Sequence, residues 1–187
     1  MMKRLFIGLP VSSVKTAQKA ELWKNNSRIR LNEMNWIKPE NWHITLYFMG
    51  DTPEEKVESL KQMIDQSFAG FSAFSAQLKG VGTFPNQHHP NVLWLGLNHL
   101  HTILPAYQML GGLLQQNGLM VDLKPLKPHL TIARIKHLAD RMVIDSLIKE
   151  YRQTVFDTIN IDKVVLFESV LSPQGPIYKP LFRKGLG

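Results

Sequence analysis

His43-Ile44-Thr45-Leu46 returns 86 residues later as His129-Leu130-Thr131-Ile132, in a chain of 187 residues. With ordinary residue usage a given His meets apolar-Thr-apolar about one time in a hundred. Two such hits among 7 His are therefore hard to ascribe to accident. Each copy alternates polar and apolar residues, the two-residue period of a strand with one buried face. On that period His43, Thr45 and Tyr47 share one face, while Ile44, Leu46 and Phe48 share the other. His129 and Thr131 likewise point the same way. Strict alternation turns Phe48 away from His43.

The surroundings of the two copies match as well. Leu5-Phe6-Ile7-Gly8-Leu9 precedes His43 by a helix-length gap, and Leu93-Trp94-Leu95-Gly96-Leu97 precedes His129 by a similar one. These segments are offset by 88 residues, close to the spacing of the histidines. After each motif comes a short polar break, Gly50-Asp51-Thr52-Pro53 or Leu138-Ala139-Asp140, and then a helical pattern. One strand-helix-strand-helix unit is thus used twice, which predicts two similar lobes with a pseudo-two-fold relation. At this length the whole chain, 1–187, reads as one domain, with repeats of roughly 1–85 and 91–187. Symmetry then carries the two distant histidines to one cleft.

The periodicity predicts a strand over 3–9 and a helix opened by Ser12-Ser13 and running to about residue 25. Residues 26–41 are polar and irregular, with Trp36-Ile37 as a short strand or anchor. Helices are expected over Pro53 to Phe68, over 99–117 with a start nearer 103 because of Pro105, and over 140–152. Strand patterns cover 42–49, 71–78, 92–97, 128–135, 155–167 and 176–183. His88 and His89 fall in a Pro/Asn loop. His99 and His101 read as surface or capping residues. His137 adds to the basic edge of the second motif. Trp23 and Trp94 read as core, and Trp36 and Trp42 as groove-lining aromatics.

Composition narrows the chemistry. There are no cysteines, which removes disulfides, zinc-thiolate sites and a thiol nucleophile and fits a reducing compartment. The start, Met1-Met2-Lys3-Arg4, mimics a signal peptide, but only about five apolar residues follow before Pro10, short of the ~7–15 of a secretory core. No stretch approaches the ~18 apolar residues of a membrane span. The expectation is a cytoplasmic protein without membrane contact. Net charge is +7, with Lys124, Lys127, Arg134 and Lys136 near the second motif; a basic surface attracts phosphate backbones. Phosphate loops, dinucleotide fingerprints and metal-spaced carboxylates are missing from the sequence, so no cofactor and no metal are expected. Two histidines supply what a metal-free phosphodiester reaction needs, one group to take a proton and one to give it. The threonine two residues on can donate to a phosphate oxygen.

These blocks resemble the two-histidine (2H) phosphoesterase superfamily, and within it the RNA 2′,3′-cyclic phosphodiesterases formerly named 2′-5′ RNA ligases. The resemblance is carried by Arg4-Leu5-Phe6-Ile7-Gly8-Leu9, Trp42-His43-Ile44-Thr45-Leu46-Tyr47-Phe48-Met49-Gly50, Gly82-Thr83-Phe84-Pro85, Val92-Leu93-Trp94-Leu95-Gly96 and Lys127-Pro128-His129-Leu130-Thr131-Ile132-Ala133-Arg134. It implies a bilobal α+β fold, with two antiparallel sheets lining a central groove and helices outside. It implies hydrolysis of RNA ends bearing a 2′,3′-cyclic phosphate to a 2′-phosphate, with the reverse 2′-5′ ligation allowed by microscopic reversibility. It carries over His43 and His129 as the catalytic pair, Thr45, Thr131 and Arg134 as phosphate-binding residues, and Phe48 as a base-stacking position. The resemblance inclines to His43 as acid and His129 as base; the residues themselves leave the order open. Two other readings stand beside this one: a cyclic phosphodiesterase acting on small nucleotides (ADP-ribose cyclic phosphate or 2′-5′ oligoadenylate), and an RNA-binding protein without turnover. A monomer is expected, since duplicated halves already supply the symmetry of a dimer.

Overall fold

The computed structural model describes residues 1–85, 90–119, 121, 126–173 and 175–187. His88, His89 and Lys124 fall outside that set. In chain order the elements are β1 (Met2–Pro10), α1 (Val14–Asn25), β2 (Glu33–Trp36), β3 (His43–Pro53), α2 (Val57–Ser67), β4 (Phe74–Pro85), β5 (Pro90–Asn98), α3 (Leu104–Gln116), β6 (His129–His137), α4 (Arg141–Tyr151), β7 (Val155–Ile161), β8 (Lys163–Ser172) and β9 (Gly175–Gly185).

The strands pair antiparallel in the order β7-β4-β5-β6-β3-β1-β8-β9, with β2 added against β6. The α+β class with antiparallel strands is as expected. In place of two separate sheets, however, one sheet runs through the molecule, joined at its centre by the single pair Ile44↔Leu130 between β3 and β6. The joint is narrow because β6 shares its edge. Beyond Leu130 that edge is taken by β2, which pairs Trp36 with Ala133 and Glu33 with His137. The β3 side of the sheet holds β3, β1, β8 and β9, and the β6 side holds β6, β5, β4 and β7. Each side therefore draws strands from both halves of the chain.

One face of the sheet is apolar. Leu5, Ile7, Leu9, Ile44, Leu93, Leu95, Leu130 and Leu166 are fully buried there. They share a core with Leu60 and Ile64 of α2 and Leu110 and Leu114 of α3. Fully burying a Leu or Ile contributes about 1.5–3 kcal/mol, so this alternation fixes which face stays open. Ser13 caps α1 by accepting from the Thr16 amide, and its hydroxyl donates to Asp157 on β7 at 2.7 Å. Trp23 of α1 is buried as expected, edge-on to Tyr151 and Phe156.

Several boundaries differ from the sequence reading. β3 runs on to Pro53 through the polar break, because it keeps pairing with β1 as far as Met2↔Pro53; α2 starts only at Val57, after a 3-10 turn. The single strand expected over 155–167 is two strands, β7 and β8. β8 continues through Glu168 and Ser169 to Ser172, residues that break the apolar pattern but pair throughout with β9. The Ser172 hydroxyl donates to the Gly175 carbonyl at the hairpin turn.

Candidate active site

Ile44 and Leu130 point into the core, so the residues flanking each of them face the open side. About that single pair, antiparallel geometry puts His43 on the side of Thr131 and Thr45 on the side of His129. The two histidines are then diagonal neighbours on one sheet face, about 7–8 Å apart. A single phosphate reaches both from such a position.

Both imidazoles are anchored in the same way. His43 Nδ1 lies 2.8 Å from the Asn41 carbonyl, and His129 Nδ1 lies 2.7 Å from the Lys127 carbonyl, in each case two residues back along the chain. A carbonyl only accepts, so each Nδ1 carries a proton and donates it. That fixes the neutral tautomer, leaving Nε2 as the free nitrogen on each ring. Burial holds the pKa of His43 below its ordinary value, with help from the positive charges of His129 and Arg134 and against the Asn41 bond. Burial also lowers the pKa of His129, against the Lys127 bond. Aromatic rings pack on both. Phe6 lies 4.7 Å from the His43 ring and stacks on Phe167, while Phe84 lies edge-on to His129 at 4.7 Å.

Thr45 and Thr131 are half-buried on the open face, and neither hydroxyl has a hydrogen-bond partner among the described residues. Immediately beyond each threonine the strict alternation fails. The pairing of β1 with β3 skips Leu46, and Leu46 and Tyr47 are both buried. The pairing of β5 with β6 skips Ile132, and Ile132 and Ala133 are both buried. A bulge inserts one residue and reverses the sidedness of the strand beyond it. Phe48 and Arg134 are thereby returned to the open face, each three residues past its threonine. The expectation that Phe48 faces away from His43 is corrected by this bulge; its ring lies under the Arg4 guanidinium at 5.0 Å. Tyr47, expected beside His43, is instead turned into the core, where its hydroxyl donates to the Tyr107 carbonyl.

The sequence reading missed Tyr178. It stands on β9 with its ring edge-on to His43 at 5.0 Å. Burial raises the pKa of its phenol, and the nearby Arg134 and Arg4 oppose that rise. Neither guanidinium is ion-paired among the described residues. Trp94 was expected in the core. Because Leu93, Leu95 and Leu97 take the core face, it lies half-buried on the open face against Phe84. Trp42 is buried, donating from its indole to the Ile37 carbonyl, and still lines the cleft beside His43 together with Phe167 and Tyr178. Among the described residues no three of His, Cys, Asp and Glu gather to hold a metal ion.

Gly82 sets the place of the Trp94 ring. A Cβ there would stand 2.3 Å from Trp94 Cζ2. Since Trp94 packs on Phe84 and Phe84 on His129, the Gly82→Ala substitution is expected to cost ~1–3 kcal/mol by overpacking. The melting temperature should fall by about 2–4 °C per kcal/mol. Gly112→Ala is the control: a Cβ there meets nothing within 4 Å in α3, so thermal melts should show it neutral or stabilised. Equal melts for the two variants would refute the packing argument.

Two anchored imidazoles, two hydroxyls and two guanidiniums without an ion pair among the described residues suit proton transfer at a bound phosphate in one groove. The chain belongs to the LigT-like phosphoesterase family, whose model matches residues 11–94 and 101–178. It is 30% identical to the RNA 2′,3′-cyclic phosphodiesterase of Thermotoga maritima, over 96% of this chain and 93% of the relative. It is 34% identical to the protein of the same name from Aquifex aeolicus, over 76% of this chain and 77% of that one. Among solved structures it is similar to TT0787 of Thermus thermophilus, with a TM-score of 0.78 and 25% identity over 98% of this chain and 97% of that one. Apo Escherichia coli LigT shares the fold, with a TM-score of 0.72, 18% identity, and coverage of 98% of this chain and 97% of the other.

Proposed function

We propose that the chain hydrolyses the ribose 2′,3′-cyclic phosphate at an RNA end to a 2′-phosphate, with His43 and His129 as the acid–base pair and no metal ion. The observation that carries this is the matched anchoring of the two imidazoles on adjacent strands, each with Nε2 free. The name of the Thermotoga relative supports the substrate class. One imidazole takes a proton from water as its oxygen attacks phosphorus. The other, as imidazolium, gives its proton to the departing 3′-oxygen, leaving a 3′-hydroxyl and a 2′-phosphate. Thr45, Thr131 and Arg134 donate to the non-bridging oxygens, where charge builds up. Phe48, beneath Arg4, offers a face on which the terminal base stacks. Run backwards, the same steps join ends in a 2′-5′ linkage.

Adding 88 to the bounds of β1 gives those of β5, and the motif strands β3 and β6 start 86 residues apart. This supports the reading of the chain as one bilobal domain made from a repeated unit; a cytoplasmic monomer completes the proposal.

The test is incubation of a short RNA ending in 2′,3′-cyclic phosphate with EDTA present. The expected product is a 2′-phosphate. A 3′-phosphate product, loss of turnover on chelation, or turnover of small cyclic nucleotides alone would each overturn the proposal. Binding of the RNA without turnover would point to an RNA-binding protein instead.

A further inference from the structure

A cleft of about 290 Å³ opens beside His43. It lies toward Asn41, whereas Phe48 lies five residues along β3 in the other direction. Its floor is Pro10, Val165 and Phe167. Lys163 on β8 and Arg183 on β9 stand over that floor on one sheet face, since Arg183 pairs with Val165 and Lys163 is two residues from Val165. Tyr178 forms the wall shared with His43, and Glu40 also lines the cleft.

We propose that this cleft is a second nucleotide subsite, which takes the nucleotide on the 5′ side of the cyclised one. The inference rests on the function proposed above, because it needs the cyclic phosphate at the histidines.

The chemistry of the cleft fits one ribonucleotide. Two cations meet the phosphodiester that links it to the terminal nucleoside. Arg183 has no ion pair among the described residues, and Lys163 is held only by the exposed Asp162, a pairing worth little in water. Phe167 and Tyr178 present aromatic faces of the kind on which unpaired bases stack. Glu40 is out of place in a site for a bare anion, but a carboxylate accepts from a ribose 2′-hydroxyl or an exocyclic amine. The volume is near the lower end of the ~300–1,000 Å³ of small-ligand sites, room for one nucleotide. A substrate extended by one nucleotide therefore gains contacts that a mononucleotide lacks.

The experiment compares kcat/KM on a nucleoside 2′,3′-cyclic monophosphate with that on a dinucleotide ending in the same cyclic phosphate. Wild type is expected to prefer the dinucleotide by about tenfold, the size of one charge-assisted contact (~1.4 kcal/mol). The double variant Lys163→Ala, Arg183→Ala should lose that preference, turn over the mononucleotide at the wild-type rate, and show a salt dependence on the dinucleotide shallower by about one unit of slope. Arg183→Lys should keep part of the preference, and an unchanged melting temperature excludes misfolding. No preference in wild type, or a preference that survives the double substitution, overturns the subsite. If wild type turns over neither substrate, the function proposed above fails instead. Titration with the 2′-phosphate dinucleotide then decides on the cleft: weaker binding by the double variant upholds it, and equal binding overturns it.

Discussion

His43→Ala and His129→Ala should each lower turnover of a cyclic phosphate end by roughly 10²–10⁴-fold, the range for loss of one general acid or base. The double variant should fall little further. Residues that act as a unit are grossly non-additive, because removing either partner already disables the shared step. The RNA itself should still bind, since Arg4, Arg134, Thr45 and Thr131 remain. The wild-type pH profile supports the same assignment independently. The kcat/KM bell of two coupled groups is centred on the mean of their pKa values. Burial lowers both below the usual 6.5, so the maximum should lie on the acid side of 6.5. Each alanine variant should lose one limb from whatever turnover is left. The sign for stability comes from the same shifts. A histidine whose folded pKa is lowered takes up protons first in the unfolded chain, so its contribution is intact above about pH 6.5 and is lost as pH falls below that. Melts of wild type should drop through this window more steeply than melts of either variant. A bell centred above 6.5, or either single variant retaining turnover within tenfold, would sink the acid–base pair.

Much of this site was legible in the chain, for a definite physical reason. A strand with one buried face must alternate, so Ile44 and Leu130 fix the common side of His43, Thr45, His129 and Thr131 from the chain alone. The neighbouring Leu5-Phe6-Ile7-Gly8-Leu9 and Leu93-Trp94-Leu95-Gly96-Leu97 segments placed the flanking strands in the same way. Alternation fails where a bulge adds a residue, and nothing in Leu46-Tyr47 or Ile132-Ala133 announces one. Phe48 was therefore assigned to the wrong face and Tyr47 to the groove. A signal was present all the same: by bare period Phe48 and Arg134 are off-face at matching positions, three residues past each threonine. A shared exception in a duplicated unit is better explained by a shared bulge. Tyr178 was illegible for another reason. It reaches His43 only because β9 folds back on β8 and β8 pairs with β1, and that second pairing joins residues more than a hundred apart in sequence, which no local pattern encodes. The single joint at Ile44↔Leu130 is a third case, since the insertion of β2 along β6 arises from the irregular 26–41 segment and carries no period of its own.

Thr45→Val and Thr131→Val should carry the second largest loss. Valine keeps the shape and β-branching of threonine and removes only the hydroxyl, so strand propensity and packing are preserved. Neither hydroxyl has a hydrogen-bond partner among the described residues. Each substitution therefore leaves no protein donor or acceptor stranded, and melting temperatures should stay level or rise slightly. Activity should respond quite differently. A donor aimed at oxygens that gain charge in the transition state is worth about 10²–10³ in kcat when removed from a preorganised site. A hydroxyl serving only ground-state binding would raise KM and leave kcat alone. The two cases separate on the kinetic split: a fall in kcat at nearly constant KM assigns the hydroxyls to the reacting phosphate. The register adds a symmetry condition. About the Ile44↔Leu130 pair His43 is on the side of Thr131 and His129 on the side of Thr45, so each threonine is expected to work next to the imidazole of the other motif, and the two single losses should be of similar size. Turnover within twofold of wild type for both variants would remove the threonines from the mechanism, and a large loss confined to one of them would break the equivalence of the two motifs.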